Sequence, residues 1–333
     1  MPAAAALRVA FPLLVAASLL ACDSPRASTS PDRSTPEQSG PTAGDPDGTI
    51  RLLLNDPSDR TAPSEACDNE LCTSLLELIE KAETSIDFAI YGLRGQPRIL
   101  AALEAAKARG VKIRAIVDRD VAGENYYADT DAMARALGNV RDDRKVDAAL
   151  EREQKQYDRA NRFDAEPSCK RPDGFQGFVQ CLAYDLGDRC LLATHASREQ
   201  FASEDDSDGT AFNKIMHHKF FVVDGRYVWT GSTNVSDSDA GGYSANVVVV
   251  LDSPTLAGWY TREFETMWVD GKHHQHKPKN SELRTKVGDA EVQLLFSPQD
   301  KAMNEGVRPV LKRAQKRIDI AVFFLNHKAI TKD

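Results

Sequence analysis

Residues 216–234 read MHHKFFVVDGRYVWTGSTN. Two runs rich in Val, Phe, Tyr and Trp flank Asp224-Gly225. Asp-Gly between apolar runs signals a hairpin, because both residues accept the positive φ of a tight turn. The turn falls on Asp224-Gly225 or on Gly225-Arg226. The returning strand then brings Gly231, Ser232 and Asn234 back beside His217 and Lys219. Side chains alternate along a strand, so His217 and Lys219 share one face and His218 points the other way. One end of the hairpin gathers an imidazole, an ammonium, a hydroxyl, an amide and a glycine that permits close approach. Such a set suits a phosphate: a nucleophile or acid, a point charge and neutral donors. At roughly 3.3 Å per residue, Asp224 lies about 20 Å from His217 and shapes the turn rather than orienting the imidazole.

Working outward, Ile50–Leu54 reads as a short apolar strand and Glu70–Ala82 as a helix with apolar spacing through Leu71, Leu75, Leu78 and Ile79. Ile86–Tyr91 alternates as a strand. Ile99–Arg109 is an Ala-rich helix closed by Gly110, and Val111–Asp118 is another strand. Strand, helix, strand in this order predicts an α/β sheet with a right-handed crossover and helices packed on it. Asp118 and Asp120 follow that strand, where α/β sheets place sites, although a cap or loop turn is the plainer role. Residues 125–210 are irregular and charged and read as an insert with a solvated helix. Its aromatic residues Phe175, Phe178 and Tyr184 could cover a cleft, with Tyr126 and Tyr127 as further wall candidates. After the hairpin, Asn246–Leu251 reads as a buried strand and Thr255–Trp268 as a helix. The run His273-His274-Gln275-His276 reads as a solvated linker rather than a metal site.

The N-terminal MPAAAALRVAFPLLVAASLLAC carries one charge, Arg8, then an apolar run too short for a confident span, and reads as a secretory signal. Leu19-Leu20-Ala21-Cys22 resembles a bacterial lipobox, which implies cleavage before Cys22, lipid on its thiol and an exported, membrane-anchored product facing the periplasm or cell surface. Residues 23–48 are Ser, Thr, Pro, Gly and Asp with almost nothing apolar, a flexible tether. The 333 residues carry a formal charge of −8, which argues against a general nucleic-acid binder, since that needs a basic track. Export permits disulfides among Cys67, Cys72, Cys169, Cys181 and Cys190; two bridges and one spare thiol are expected, with Cys67–Cys72 as one pair, and the spacing fits no zinc pattern.

The spacing His217-x-Lys219-x4-Asp224-x6-Gly231-Ser232-x-Asn234 resembles the signature of the phospholipase D superfamily, the HKD family. The resemblance implies a mixed sheet flanked by helices on both faces, an α-β-α sandwich. It implies two motifs facing each other across a pseudo-twofold axis, or two identical chains. One His forms a phosphohistidine and the other protonates the leaving alcohol. His217 is then the nucleophile, or failing that the acid, while Lys219, Ser232 and Asn234 stabilise phosphoryl oxygen. No cofactor or metal is called for, because the paired motifs supply the positive charge. In the family a carboxylate before the later Val-rich strand orients the His. Here that place holds Ala245 and then Asn246, whose amide oxygen is a weaker substitute, with Asp237 and Asp239 as outside candidates.

Near its end the chain repeats itself. Val292–Phe296 echoes Ile50–Leu54, and Ile318–Leu325 echoes Ile86–Leu93. Residues 49–290 therefore read as one complete unit and 291–333 as the start of a second, cut short. The leading activity is hydrolysis of a phospholipid headgroup diester. The rivals are a metal-independent nuclease, a transphosphatidylase of the cardiolipin synthase kind, and a catalytically silent binding module.

Overall fold

The computed structural model describes residues 44–149, 152, 178–181, 190–193, 215–280, 283–322 and 330. The stretch read as a secretory signal, Cys22, most of the stretch read as a tether, Cys169, Phe175 and Tyr184 lie outside these residues. So does most of the stretch read as an insert.

The strands are β1 (Thr49–Leu54), β2 (Ser85–Ile90), β3 (Leu93–Arg94), β4 (Lys112–Val117), β5 (Val140–Asp142), β6 (Phe178–Cys181), β7 (Cys190–Ala193), β8 (Lys219–Val223), β9 (Tyr227–Gly231), β10 (Val235–Ser236), β11 (Val247–Asp252), β12 (Leu283–Val287) and β13 (Ala290–Leu294). The helices are α1 (Glu70–Lys81), α2 (Pro97–Ala108), α3 (Thr130–Leu137), α4 (Pro254–Trp268) and α5 (Arg308–Arg313). Seven strands form one mixed sheet in the order β1-β11-β9-β8-β2-β4-β5. β2, β4 and β5 run parallel, and β8 joins β2 antiparallel.

The hairpin at the sheet's centre forms because its two apolar runs meet around a turn that only a few residue types tolerate. Val223 pairs with Tyr227, and Asp224 and Gly225 take φ of 53° and 62°. Period-two alternation then sorts the strands between two cores. Phe221, Val223, Phe88 and Trp229 pack under α1, α2 and α3. Phe220, Val222, Val228 and Ile116 pack under α4 with Trp259, Tyr260 and Phe264. Helices therefore cover both faces, giving the α-β-α layering. The caps follow local chemistry: Asn69 accepts from Leu71 and Cys72 N–H at the start of α1, and Ser253 accepts from Leu256 N–H at the start of α4. Cys67 and Cys72 are joined by a disulfide beside α1.

Four expectations fail. The insert does not begin near residue 125: α3 and β5 extend the main sheet by another strand, parallel to β4. The charged helix is not wholly solvated, since Asp143 and Asp147 are buried. The histidine run is not a solvated linker either, because His273 and His274 are buried. Finally, the described part of the echo of β2, residues 318–322, is no strand. Residues 317–322 are irregular, with Ile318, Ile320 and Val322 exposed. β2 is held from both sides by β4 and β8, and no such neighbours flank the echo among the described residues. The other echo, β13, pairs with β12 in a separate two-stranded ribbon. No helix among the described residues is long and apolar enough to cross a membrane.

Candidate active site

The site lies where β2 and β4 end and β8 begins. Lys219 opens β8 and stands opposite Ile90, the last residue of β2. Its Nζ donates to the His217 carbonyl at 3.1 Å. The next residue along from β2, Tyr91, meets the His217 ring edge-on, with centroids 5.3 Å apart. Tyr91 in turn packs edge-on against Tyr127 at 5.1 Å, and Arg94 lies over the Tyr127 ring. His218 points to the opposite core, as alternation requires, and bonds Glu263 of α4 at 3.0 Å. There Lys277 completes a buried ion pair with Glu263.

Electrostatics separates the two motif side chains. Burial pulls the Lys219 ammonium down to about 7, with the charge of Asp239 acting against it. Burial, then the charge of Lys219 and the neighbouring His218, pushes the His217 imidazole down to about 3. Lys219 is half-buried, but His217 is exposed to solvent. At neutral pH it is a neutral imidazole, the form with a lone pair to donate.

The far strand supplies the rest. Ser232 donates its hydroxyl to Asn246 Oδ1 at 2.8 Å and accepts from Val247 N–H. Asn234 donates both its side-chain and main-chain N–H to Asp239, at 2.6 and 3.1 Å. Parallel pairing of β10 with β3 holds this loop beside the end of β2. Gly231 is required for a different reason than phosphate approach. A Cβ there would sit 2.0 Å from the Val247 carbonyl of the neighbouring strand. Asp224 sits at the turn and accepts from Glu83, Thr84 and Ser85 main-chain N–H and from the Thr84 hydroxyl.

The orienting role expected of Asn246 does not appear. Its amide oxygen is taken by Ser232, and its Nδ2 bonds Ser244 O. Asp237 pairs with Arg94 at 2.8 Å, and Asp239 holds Asn234 and faces the charge of Lys219. Among the described residues no carboxylate is hydrogen-bonded to His217. Its position comes instead from its backbone and from Tyr91. Met216, just before it, donates its N–H to Asp118 Oδ1 at 2.8 Å. Asp118 is therefore more than a loop turn: it is buried, and burial with the charge of Asp143 raises it to about 8. Asp120 does cap a turn, accepting from Glu124 N–H.

Two contributors escaped the sequence reading. Asn125 donates to the Tyr91 and Asp118 carbonyls at 2.7 and 2.6 Å and accepts from Tyr127 N–H and the Thr130 hydroxyl, so it ties both strand ends to the aromatic wall. Asn55 donates to the Gly242 and Ser244 carbonyls and accepts from Asn246 N–H, shaping the loop beyond Ser232. Neither lies in a motif. The only signal was an Asn in the segment after a strand, directly for Asn55 and further along the loop for Asn125, where Asx turns are common. Of the two wall candidates, Tyr127 is buried and Tyr126 is exposed, with ring centroids 5.8 Å apart.

The family model described as "Cardiolipin synthase, PLD-like domain" matches residues 75–163 and 188–268, about half of the chain. No curated protein matches the chain. Among solved structures, it is similar to Nuc, a phospholipase D family member from Salmonella typhimurium, at 18% identity over 67% of this chain and 95% of that one, with a TM-score of 0.37. NucT from Helicobacter pylori gives 14% identity over 67% and 96%, with a TM-score of 0.40. A phosphatidylserine synthase from Haemophilus influenzae Rd KW20 gives 14% over 80% and 44%, with a TM-score of 0.33.

Proposed function

The chain belongs to the phospholipase D superfamily of phosphodiester-acting enzymes, and from that premise we propose that it hydrolyses a phospholipid headgroup diester through a phosphohistidine on His217. The observation that carries this reading is that His217 and Lys219 stand together at one hairpin end, with Lys219 Nζ donating to the His217 carbonyl and His217 exposed to solvent. A ring nitrogen of His217 attacks phosphorus and the headgroup alcohol leaves, taking a proton from a second imidazole. Water then attacks the phosphohistidine, gives a proton back to that second imidazole and releases phosphatidate. Lys219 offsets charge on the phosphoryl oxygens, and Ser232 and Asn234 line the same end.

His218 cannot be the second imidazole, because it is bound to Glu263 on the other face of the sheet. A second motif supplies it, from another unit facing this one or from a second copy of this chain. Lipid on Cys22 and the tether 23–48 would hold the unit 49–290 near its substrate. The net charge of −8 favours a lipid over a nucleic-acid strand. If an alcohol replaces water in the second step, the same site becomes a transphosphatidylase.

The test offers the purified full chain phosphatidylcholine vesicles and single-stranded DNA in parallel, with His217→Ala as control. Choline release that vanishes in the control supports the proposal. Nicking of DNA without choline release replaces it with the nuclease reading. Activity on neither, at concentrations where the chain is dimeric, leaves the silent binding module.

A further inference from the structure

His217 lies just outside the strand ladder that fixes its neighbours. The pairing of β8 with β2 ends at Lys219 opposite Ile90, so His217 and His218 precede the first ladder residue. The chain is held instead on either side of His217. Before it, Met216 is buried and donates its N–H to Asp118 Oδ1 at 2.8 Å. After it, the His218 ring passes to the other face of the sheet. There it meets Phe220 and Phe296 edge-on, with centroids 5.3 and 6.1 Å away.

A polar clamp receives that ring. His218 Nε2 stands 3.0 Å from Glu263 Oε1. Glu263 and Lys277 are buried and form an ion pair with each other. Glu263 Oε2 accepts from Gln299 Nε2 at 3.0 Å. The carboxylate on α4 is thus gripped from the segment after α4, which carries Lys277, and from the segment after β13, which carries Gln299. Burial, then the charge of Lys277, pushes the His218 imidazole below its ordinary value, against the pull of Glu263. The ring is therefore neutral at pH 7. Two lone pairs at 3.0 Å would repel, so Nε2 carries the proton and donates it to the carboxylate. A buried ion pair of this kind adds little stability over apolar groups of the same volume. What it supplies is position.

We propose that His218, clamped by Glu263, is a positioning residue: it fixes the backbone so that His217 presents its ring to a phosphodiester beside Tyr91 and Lys219. Adjacent side chains leave opposite faces of an extended chain, so a His218 ring released from its clamp lets the His217 ring turn with it. Lys219 is spared, because the β8 ladder holds it. This role rests on His217 being the group that attacks phosphorus. A shift of about 1 Å in an attacking atom can cost about 100-fold in rate, so the effect falls on kcat rather than on substrate binding.

The experiment compares the full wild-type chain with His218→Phe, which keeps a ring but loses the donor, and His218→Gln, which keeps an N–H that reaches Glu263. One readout is steady-state kinetics on a chromogenic phosphodiester. The other is the nuclear Overhauser contact between the Tyr91 and His217 rings, whose centroids lie 5.3 Å apart, in protein labelled in His and Tyr. Folded His218→Phe is expected to lose the contact and about 10-fold or more in kcat, with KM changed by less than about two-fold. His218→Gln is expected to keep the contact and to stay within about three-fold of wild-type kcat. A folded His218→Phe with wild-type kcat and an intact contact overturns the proposal. So does an equal loss in the Phe and Gln variants, or a loss carried by KM. If His218→Phe does not fold, His218→Asn, whose amide is too short to reach Glu263, takes its place with the same expectations. Failure of both to fold overturns the proposal, since the clamp then holds the domain rather than the imidazole. Wild-type protein without turnover refutes the phosphodiesterase reading instead, and the ring contact in wild type and variants still decides whether His218 positions His217.

Discussion

Asp224 is the motif carboxylate most easily mistaken for a catalytic group, and its replacement separates fold from chemistry. The carboxylate accepts from Thr84 N–H at 2.7 Å, Ser85 N–H at 3.0 Å, Glu83 N–H at 3.0 Å and the Thr84 hydroxyl at 2.8 Å. These bonds pin the hairpin turn to the start of β2. In Asp224→Ala all four are lost, and a residue with φ of 53° loses its tolerated side chain. Asp224 is only half-buried, so each of the four bonds contributes about 0.5–1 kcal/mol rather than the value of a buried one, and the sum is about 2–4 kcal/mol. Asp224→Asn keeps the turn preference and part of the acceptor set and is expected to cost about 1 kcal/mol. The assay is urea unfolding at pH 7 for the three proteins, with turnover measured where each is fully folded. Burial raises the Asp224 pKa, but the hydrogen bonds from Ser85, Thr84 and Glu83 outweigh it and hold it below 3.8. Its stabilisation is therefore present above pH 3.8 and is lost as pH falls through the depressed folded value. The gap between wild type and Asp224→Ala should close in acid. Unchanged stability with abolished turnover in a folded Asp224→Asn would refute a structural role.

Further expectations follow from other parts of the fold. Lys219 loses its proton near pH 7, so kcat/KM on a chromogenic phosphodiester should fall as pH rises above about 7, and Lys219→Arg should move that limb upward by at least one pH unit. Burial opposes ionisation of Glu263, but His218 and Lys277 outweigh it and hold the carboxyl at about 2. Its stabilisation is thus present above 4.5 and lost as pH falls through about 2, and acid unfolding of Glu263→Gln should show a shallower dependence there. Arg114 grips Asp87 with two bonds of 2.7 Å and also reaches Glu265, so Arg114→Met should cost about 2–4 kcal/mol in urea unfolding by leaving the buried Asp87 unpaired. Gly231→Ala must push against the Val247 carbonyl and should cost about 3 kcal/mol, read as a lowered Tm.

The hairpin was legible because every local signal in it agrees: Asp-Gly at the turn, β-branched and aromatic residues in the arms, and polar groups on alternate positions. The βαβ order of β2, α2 and β4 was legible for the same reason, with apolar period and helix stop coinciding at Gly110. The failures share a cause. Asp143, Asp147 and His274 look like solvated polar residues, because a sequence cannot show that the two carboxylates and the imidazole will meet from stretches more than 100 residues apart. Asn246 was assigned by position alone, and the hydroxyl of Ser232 reached its amide first. Asn125 makes four hydrogen bonds, yet a lone Asn after a strand is too common to mark a hub. The echo of β2 carries the right pattern, but among the described residues no strand flanks it, and residues 318–322 stay irregular.

The most direct measurement is covalent trapping. Full-length protein is mixed with a short-chain phosphatidylcholine, quenched in alkali to preserve phosphoramidate bonds, digested, and read by peptide mass spectrometry. The expected result is a phosphatidyl adduct on the peptide carrying His217, absent in His217→Ala together with choline release. Full choline release by His217→Ala, or an adduct placed reproducibly on another residue, would contradict the assignment of His217 as the group that attacks phosphorus.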